Sequence, residues 1–151
     1  MTEEKRYQVA LSLIPHVGPV ISRQLMNHIG SAKDILETKS GKLQKIDGVG
    51  PKLIELFKNT SAYLKKADAI LSDSSKKNIK VLFYQDAQYP KRLHQVPDAP
   101  LVLYKKGQGG LNVAKTIGIV GTRKATKYGN QVTDDVVGQA KELGVQIISG
   151  L

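Results

Sequence analysis

The sequence predicts an α/β fold: an all-α module over residues 1–77, then an incomplete parallel sheet over residues 78–151. Three observations carry that reading. Apolar residues recur near a 3.6-residue period through the first sixty positions. At Ile79 the pattern changes to short β-branched and aromatic runs. From Thr116 the order becomes strand, glycine turn, helix, strand, which over about 30 residues is a βαβ unit with a right-handed crossover.

The helical module contains a repeat. Leu13-Ile14-Pro15-His16-Val17-Gly18-Pro19 returns in altered form as Lys45-Ile46-Asp47-Gly48-Val49-Gly50-Pro51, 32 residues further on. Val20, Ile21, Leu25, Met26 and Ile29 follow the first copy as an amphipathic run, and Leu53, Ile54, Leu56 and Phe57 follow the second. Pro19 and Pro51 suit the first position of a helix, where the missing N–H has no partner to lose. Ser31 is a candidate N-cap for a short helix through Leu36. A lysine-rich helix over residues 61–77 should end in the Ser-Asp-Ser-Ser-Lys-Lys-Asn stretch, which marks the expected domain boundary.

Strands are expected at Ile79 to Tyr84 and Leu101 to Tyr104. The intervening segment from Tyr89, with prolines at 90, 97 and 100, reads as an irregular structural crossing that pins Leu93 and Val96 to the core. Lys91 and Arg92 within it read as solvated. The glycine-rich loop at 106–110 leads to a strand from Thr116 to Val120, a helix over 131–143 and a strand from Val145 to Ser149. A parallel sheet ending on its second crossover strand leaves an open edge and bare apolar faces, so the chain is expected to be a fragment ending in mid-domain.

Charge narrows the function. There are 23 Lys and Arg against 13 Asp and Glu, a net charge of +10. The excess is spread, +3 over residues 1–60, +3 over 61–100 and +4 over 101–151, so this is no basic tail on a neutral domain. Such a balance points to a polyanionic partner, usually nucleic acid, with a lysine-rich solvated surface as the alternative. No apolar run approaches the roughly 18 residues of a membrane span. The absence of cysteine removes disulfides and thiolate metal sites and fits a reducing cytoplasm, where the protein is expected.

Two motifs carry chemistry. Gly48-Val49-Gly50 between two helices resembles a helix-hairpin-helix (HhH) element, whose backbone amides meet DNA phosphates; Lys52 sits beside it. The first copy has His16 where that motif has its first glycine, and so reads as a packing partner of the second. Protein contact by the paired hairpins is the alternative. The second motif is the loop after the strand at Thr116, with Gly121, Thr122, Arg123, Lys124, Thr126 and Lys127. A strand, a glycine turn and a helix N-terminus make an anion site. The loop lacks both the Gly-x-Gly-x-x-Gly and the Gly-Lys-Ser/Thr fingerprints, and its cations suit a polymer backbone better than a nucleotide. Arg123 can grip phosphate bidentately, Thr122 and Thr126 can donate hydroxyls, and Tyr128 either stacks on a base or packs, with packing preferred. No catalytic arrangement is expected: His16, His28 and His94 are far apart in sequence, and Asp134-Asp135 are adjacent on a helix and so diverge.

Beyond these, an ordered set of motifs is similar to the DNA-processing protein A (DprA/Smf) family. It runs Tyr89-Pro90-x-x-Leu93-x-x-Val96-x-Asp98-x-Pro100-x-x-Leu103-Tyr104-x-x-Gly107, then Ile119-Val120-Gly121-Thr122-Arg123-x-x-Thr126-x-Tyr128-Gly129, then Ile148-Ser149-Gly150-Leu151. The resemblance implies a Rossmann-like core, single-stranded DNA binding, and loading of a RecA-type recombinase during natural transformation. It also implies homodimerisation of the full-length protein, no cofactor, and no enzymatic activity. The family's Gly-Ser/Thr-Arg loop contacts DNA, which transfers to Gly121, Thr122 and Arg123, with Lys124 and Lys127 as weaker additions. The competing readings are a phosphoribohydrolase-like nucleotide-processing enzyme and a protein-interaction module.

Overall fold

The computed structural model describes residues 2–150, save the side chain of Ser40. Among them the chain is mixed α/β, with eight helices and two two-stranded sheets. It divides into two compact units, residues 1–111 and 112–151.

The first unit opens with α1 (Glu3–Ser12), α2 (Pro19–Ile29) and α3 (Ala32–Glu37). Ser31 caps α3 as expected, its Oγ accepting from the Asp34 N–H at 3.0 Å. The short α4 (Ser40–Leu43) and α5 (Pro51–Phe57) follow, then α6 (Thr60–Lys76). Pro19 and Pro51 each open a helix, and Gly18 and Gly50 each cap one with extended backbone. One core joins these helices: Leu11, Leu25 and Ile35 are fully buried, and Leu43, Val49, Leu53 and Leu71 are nearly so. Each such side chain contributes about 1.5–3 kcal/mol relative to exposure.

Helix α6 ends at Lys76, within the serine-rich stretch and one residue from the expected end at 77. Ser72, Asp73, Ser74 and Ser75 remain helical, with Ser74 buried and Asp73 paired to Lys77 at 2.8 Å, one helical turn on. The antiparallel pair of β1 (Ile79–Phe83) and β2 (Val102–Lys106) then packs back onto the helices. Phe83, Leu101 and Val102 belong to the helical core, so the first compact unit runs past the change of element type at 77 to Leu111. Arg6 joins Asp68 of α6 through two hydrogen bonds of 2.6 and 2.7 Å, and Lys5 reaches Asp86 at 2.9 Å.

The segment between the two strands differs from expectation. Its residues Lys91–His94 form one helical turn, α7. Val96 is 39% exposed and Leu93 half-buried; Tyr89 and Ala99 hold the crossing instead, at 2% and 1% exposure. The Tyr89 hydroxyl donates to the Pro100 carbonyl at 2.7 Å, and Tyr84 stacks on His94 at 3.9 Å between ring centres. A proline-rich segment shows little periodicity, so aromatic anchoring outweighs the aliphatic positions there.

The second unit is a βαβ unit: β3 (Thr116–Ile119), α8 (Lys127–Glu142) and β4 (Gln146–Ser149). The strands are parallel, with Thr116 opposite Gln146 and Ile119 opposite Ser149. α8 begins at Lys127, four residues ahead of the expected start at 131.

Candidate nucleic-acid interface

The parallel register brings two of the sequence motifs to one end of the second unit. Because Ile119 lies opposite Ser149, the loop from Val120 to Thr126 and the Ser149-Gly150 turn leave the sheet together, at the carboxyl ends of both strands. That end of a parallel sheet is where α/β proteins take ligands. Leu151, the last residue of the third motif, lies outside the described residues.

Within the loop, Gly121 has ordinary backbone geometry, and a Cβ built on it would meet nothing within 4 Å. Nothing in the described fold therefore requires glycine there; its bareness leaves the main chain open to close approach. Thr122 Oγ1 accepts from the Lys124 N–H at 3.2 Å, closing a local turn around Arg123. Thr126 is the N-cap of α8, its Oγ1 accepting from the Gly129 N–H at 3.0 Å. Both hydroxyls spend acceptor capacity locally and keep their own O–H to donate. The side chains of Arg123, Lys124 and Lys127 are exposed and make no hydrogen bond or ion pair among the described residues.

The early start of α8 changes what the site offers. Lys127 and Tyr128 occupy the first two helical positions, where backbone N–H groups lack intrahelical acceptors. Sequence reasoning missed these two donors because Gly129 weakens the helical pattern. The signal that reveals them is Thr126 three residues before Gly129, the spacing of a side-chain cap. Tyr128 does not pack: it is 76% exposed beside those donors, contrary to the preferred expectation. Val120 is 93% exposed at the start of the loop.

The second candidate site lies in the first unit. The 32-residue sequence repeat is also a backbone repeat. Val17 N–H donates to Ile14 C=O at 3.1 Å and Val49 N–H to Ile46 C=O at 3.0 Å. Ser22 and Ile54 donate to the cap carbonyls of Gly18 and Gly50 at 2.9 and 3.1 Å. Gly48 has a φ of 85°, and His16, its counterpart, has a φ of 66°. The missing glycine has not changed the turn, because histidine is among the side chains that tolerate the left-handed region. Val49 is a packing residue, 5% exposed, with its amide already used, so it offers no donor to a phosphate. Gly48, Gly50 and Lys52 are exposed, and Lys52 stands on the first turn of α5.

The remaining singled-out side chains do not converge. His16 lies in a turn, His28 Nδ1 donates to the Gln24 carbonyl one helical turn back, and His94 belongs to the tyrosine stack. Asp134 and Asp135 are exposed on α8. No three His, Asp or Glu side chains gather as a metal-ligand set among the described residues, and none of their helices is long and apolar enough to cross a membrane.

Residues 80–151 match the family described as DNA recombination-mediator protein A. Two curated relatives extend the likeness over nearly the whole chain. The protein Smf of Synechocystis sp. is 30% identical over 155 aligned positions, covering 98% of this chain and 38% of the relative. The DNA processing protein DprA of Bacillus subtilis is 30% identical over 146, covering 95% of this chain and 49% of the relative. The chain thus spans less than half the length of either.

Proposed function

Through residues 80–151 the chain belongs to the DNA recombination-mediator protein A (DprA/Smf) family, and from that membership we propose that it binds single-stranded DNA through the loop from Gly121 to Lys127. The observation that carries the reading is the parallel register, with Ile119 beside Ser149, which gathers an unpaired Arg123, Lys124 and Lys127 at the carboxyl end of the sheet. Arg123 supplies a planar, bidentate donor for phosphate oxygens. The first-turn amides of α8 add directional donors, and the helix dipole favours the negative charge. Tyr128, exposed next to them, offers a face on which a base can stack.

In this reading the βαβ unit is the opening part of a Rossmann-like sheet. The paired hairpins act as a SAM-like HhH module whose Gly48, Gly50 and Lys52 add backbone contacts. The protein performs no bond chemistry on DNA. It works in the cytoplasm as a homodimer and passes its strand to a RecA-type recombinase.

The test is a comparison of single-stranded and duplex oligonucleotides of equal length across a salt series. Binding to the single strand should be tighter and should fall steeply with salt, with a slope of about −0.7 per phosphate neutralised. Equal affinity for both forms, or binding insensitive to salt, would sink the reading.

A further inference from the structure

The first unit holds most of the chain's charge excess: 18 basic against ten acidic side chains over residues 1–111. Many of those acids are engaged. Asp86, Asp68, Glu3, Glu55 and Asp73 pair with Lys5, Arg6, Lys33, Lys58 and Lys77. Glu4 accepts from the amides of Ala32 and Lys33, Glu37 from the Tyr7 hydroxyl, and Asp34 from Ser31. The uncompensated cations therefore have to stand elsewhere, and one group of them is ordered by the backbone.

Between α3 and the second hairpin turn the chain winds through α4 and the turns that follow it. Lys42 N–H donates to Lys39 C=O, Lys45 to Lys42, Ile46 to Leu43 and Val49 to Ile46, at 3.0 to 3.3 Å. In three-residue turns, side chains at i and i+3 eclipse one another. One row is Leu43, Ile46 and Val49, all buried at 8% exposure or less, which locks the segment onto the core. The adjacent row is Lys39, Lys42 and Lys45, all exposed. At about 1.5–2 Å of rise per residue, successive lysines stand roughly one turn, about 5–6 Å, apart along the segment. None of the three ammonium groups makes a hydrogen bond or ion pair among the described residues, and neither does that of Lys52 just beyond the turn. Asp47, in the turn itself, is the one acid between Lys39 and Lys52 in sequence.

We propose that Lys39, Lys42 and Lys45 form a ridge that binds the phosphodiester backbone of DNA; it rests on and extends the reading of Gly48, Gly50 and Lys52 as backbone contacts, and is separate from the loop at Gly121. A row of like charges held in register without carboxylate partners costs self-repulsion, and a regularly spaced polyanion relieves it. The row contains no aromatic or amide side chain that could read a base, so the contact is sequence-independent. It fits the backbone of a polymer better than a single anion, because the charges are strung along a line and do not converge on one point.

The test uses the full chain and a fluorescent oligo-dT, with a duplex of the same length as a second probe. Lys39→Gln/Lys42→Gln/Lys45→Gln is compared with Lys65→Gln/Lys76→Gln/Lys80→Gln, which removes the same charge from α6 and β1. The ridge variant should flatten the slope of log affinity against log salt by about 2 on the single strand, taking about 0.7 per lost contact. The control should leave the slope nearly unchanged. If the ridge variant keeps the wild-type slope on both probes, or the control flattens it equally, the ridge is no site. Repeating the ridge variant in an Arg123→Ala background separates the two claims. The ridge predicts the same loss of slope with or without Arg123, whatever becomes of the loop. All three lysines are exposed, so an unchanged melting temperature should accompany the binding loss.

Discussion

At the scale of single residues, the most informative comparison is His16 with Gly48. Both take left-handed backbone at the same point of a repeated turn, and only one is glycine. A Cβ on Gly48 would lie 3.7 Å from Ile21, an ordinary contact, so space does not forbid a side chain; conformation is what costs. Gly48→Ala should therefore destabilise the first unit by about 1–2 kcal/mol in chemical denaturation. His16→Gly trades relieved strain against the extra freedom of glycine in the unfolded chain, and should leave stability within about 0.5 kcal/mol of wild type. A large loss for His16→Gly would mean that the imidazole makes contacts the backbone account omits. The sequence showed the departure at His16 but not its consequence, because tolerance of the left-handed region is a property of the turn and not of the residue alone.

At the scale of elements, helices were legible where apolar spacing and caps agreed. Pro19, Pro51 and Ser31 all stand where capping rules put them, and the strands at Ile79, Thr116 and Gln146 fall within a residue or so of expectation. Local signals failed where tertiary contact decides. The proline-rich crossing hangs on Tyr89 instead of Leu93 and Val96. The start of α8 was obscured by Gly129, although the Thr126 cap marks it. Thr126→Ala should cost the cap hydrogen bond, about 1 kcal/mol of helix stability. Hydrogen exchange at Gly129 and Asn130 should quicken in that variant. Unchanged exchange would show that the cap contributes nothing to the first turn of α8, and with it nothing to the candidate site. A loop from Gly121 to Thr126 was legible in the sequence, but the two main-chain donors at Lys127 and Tyr128 were not, since they exist only once the helix boundary is known.

At the scale of the whole molecule, charge governs both stability and binding. The hydrogen bond from Arg6 holds the Asp68 carboxyl below its ordinary value of 3.8. Burial pushes Asp86 up, but hydrogen bonds from Lys5 and the Phe83 amide outweigh it and leave its pKa lowered. Both carboxyls thus take up protons more readily in the unfolded chain. Their contribution is complete above the unfolded value near 4 and drains away as pH falls through the folded values. Stability measured by denaturant should be level from about pH 7 to 5 and decline below about pH 4. Lys5→Met should flatten part of that decline, while an acid profile identical to wild type would show that the Lys5–Asp86 pair does not set it.

The excess of positive charge lies mostly in the first unit, with 18 basic against ten acidic side chains. The central claim is nevertheless local. Arg123→Ala in the full chain, titrated with oligo-dT at moderate salt, should bind about tenfold to a hundredfold more weakly than wild type, the loss of one charge-assisted phosphate contact worth about 1–3 kcal/mol. Binding as tight as wild type would contradict the assignment of the Gly121–Lys127 loop as the single-strand clamp.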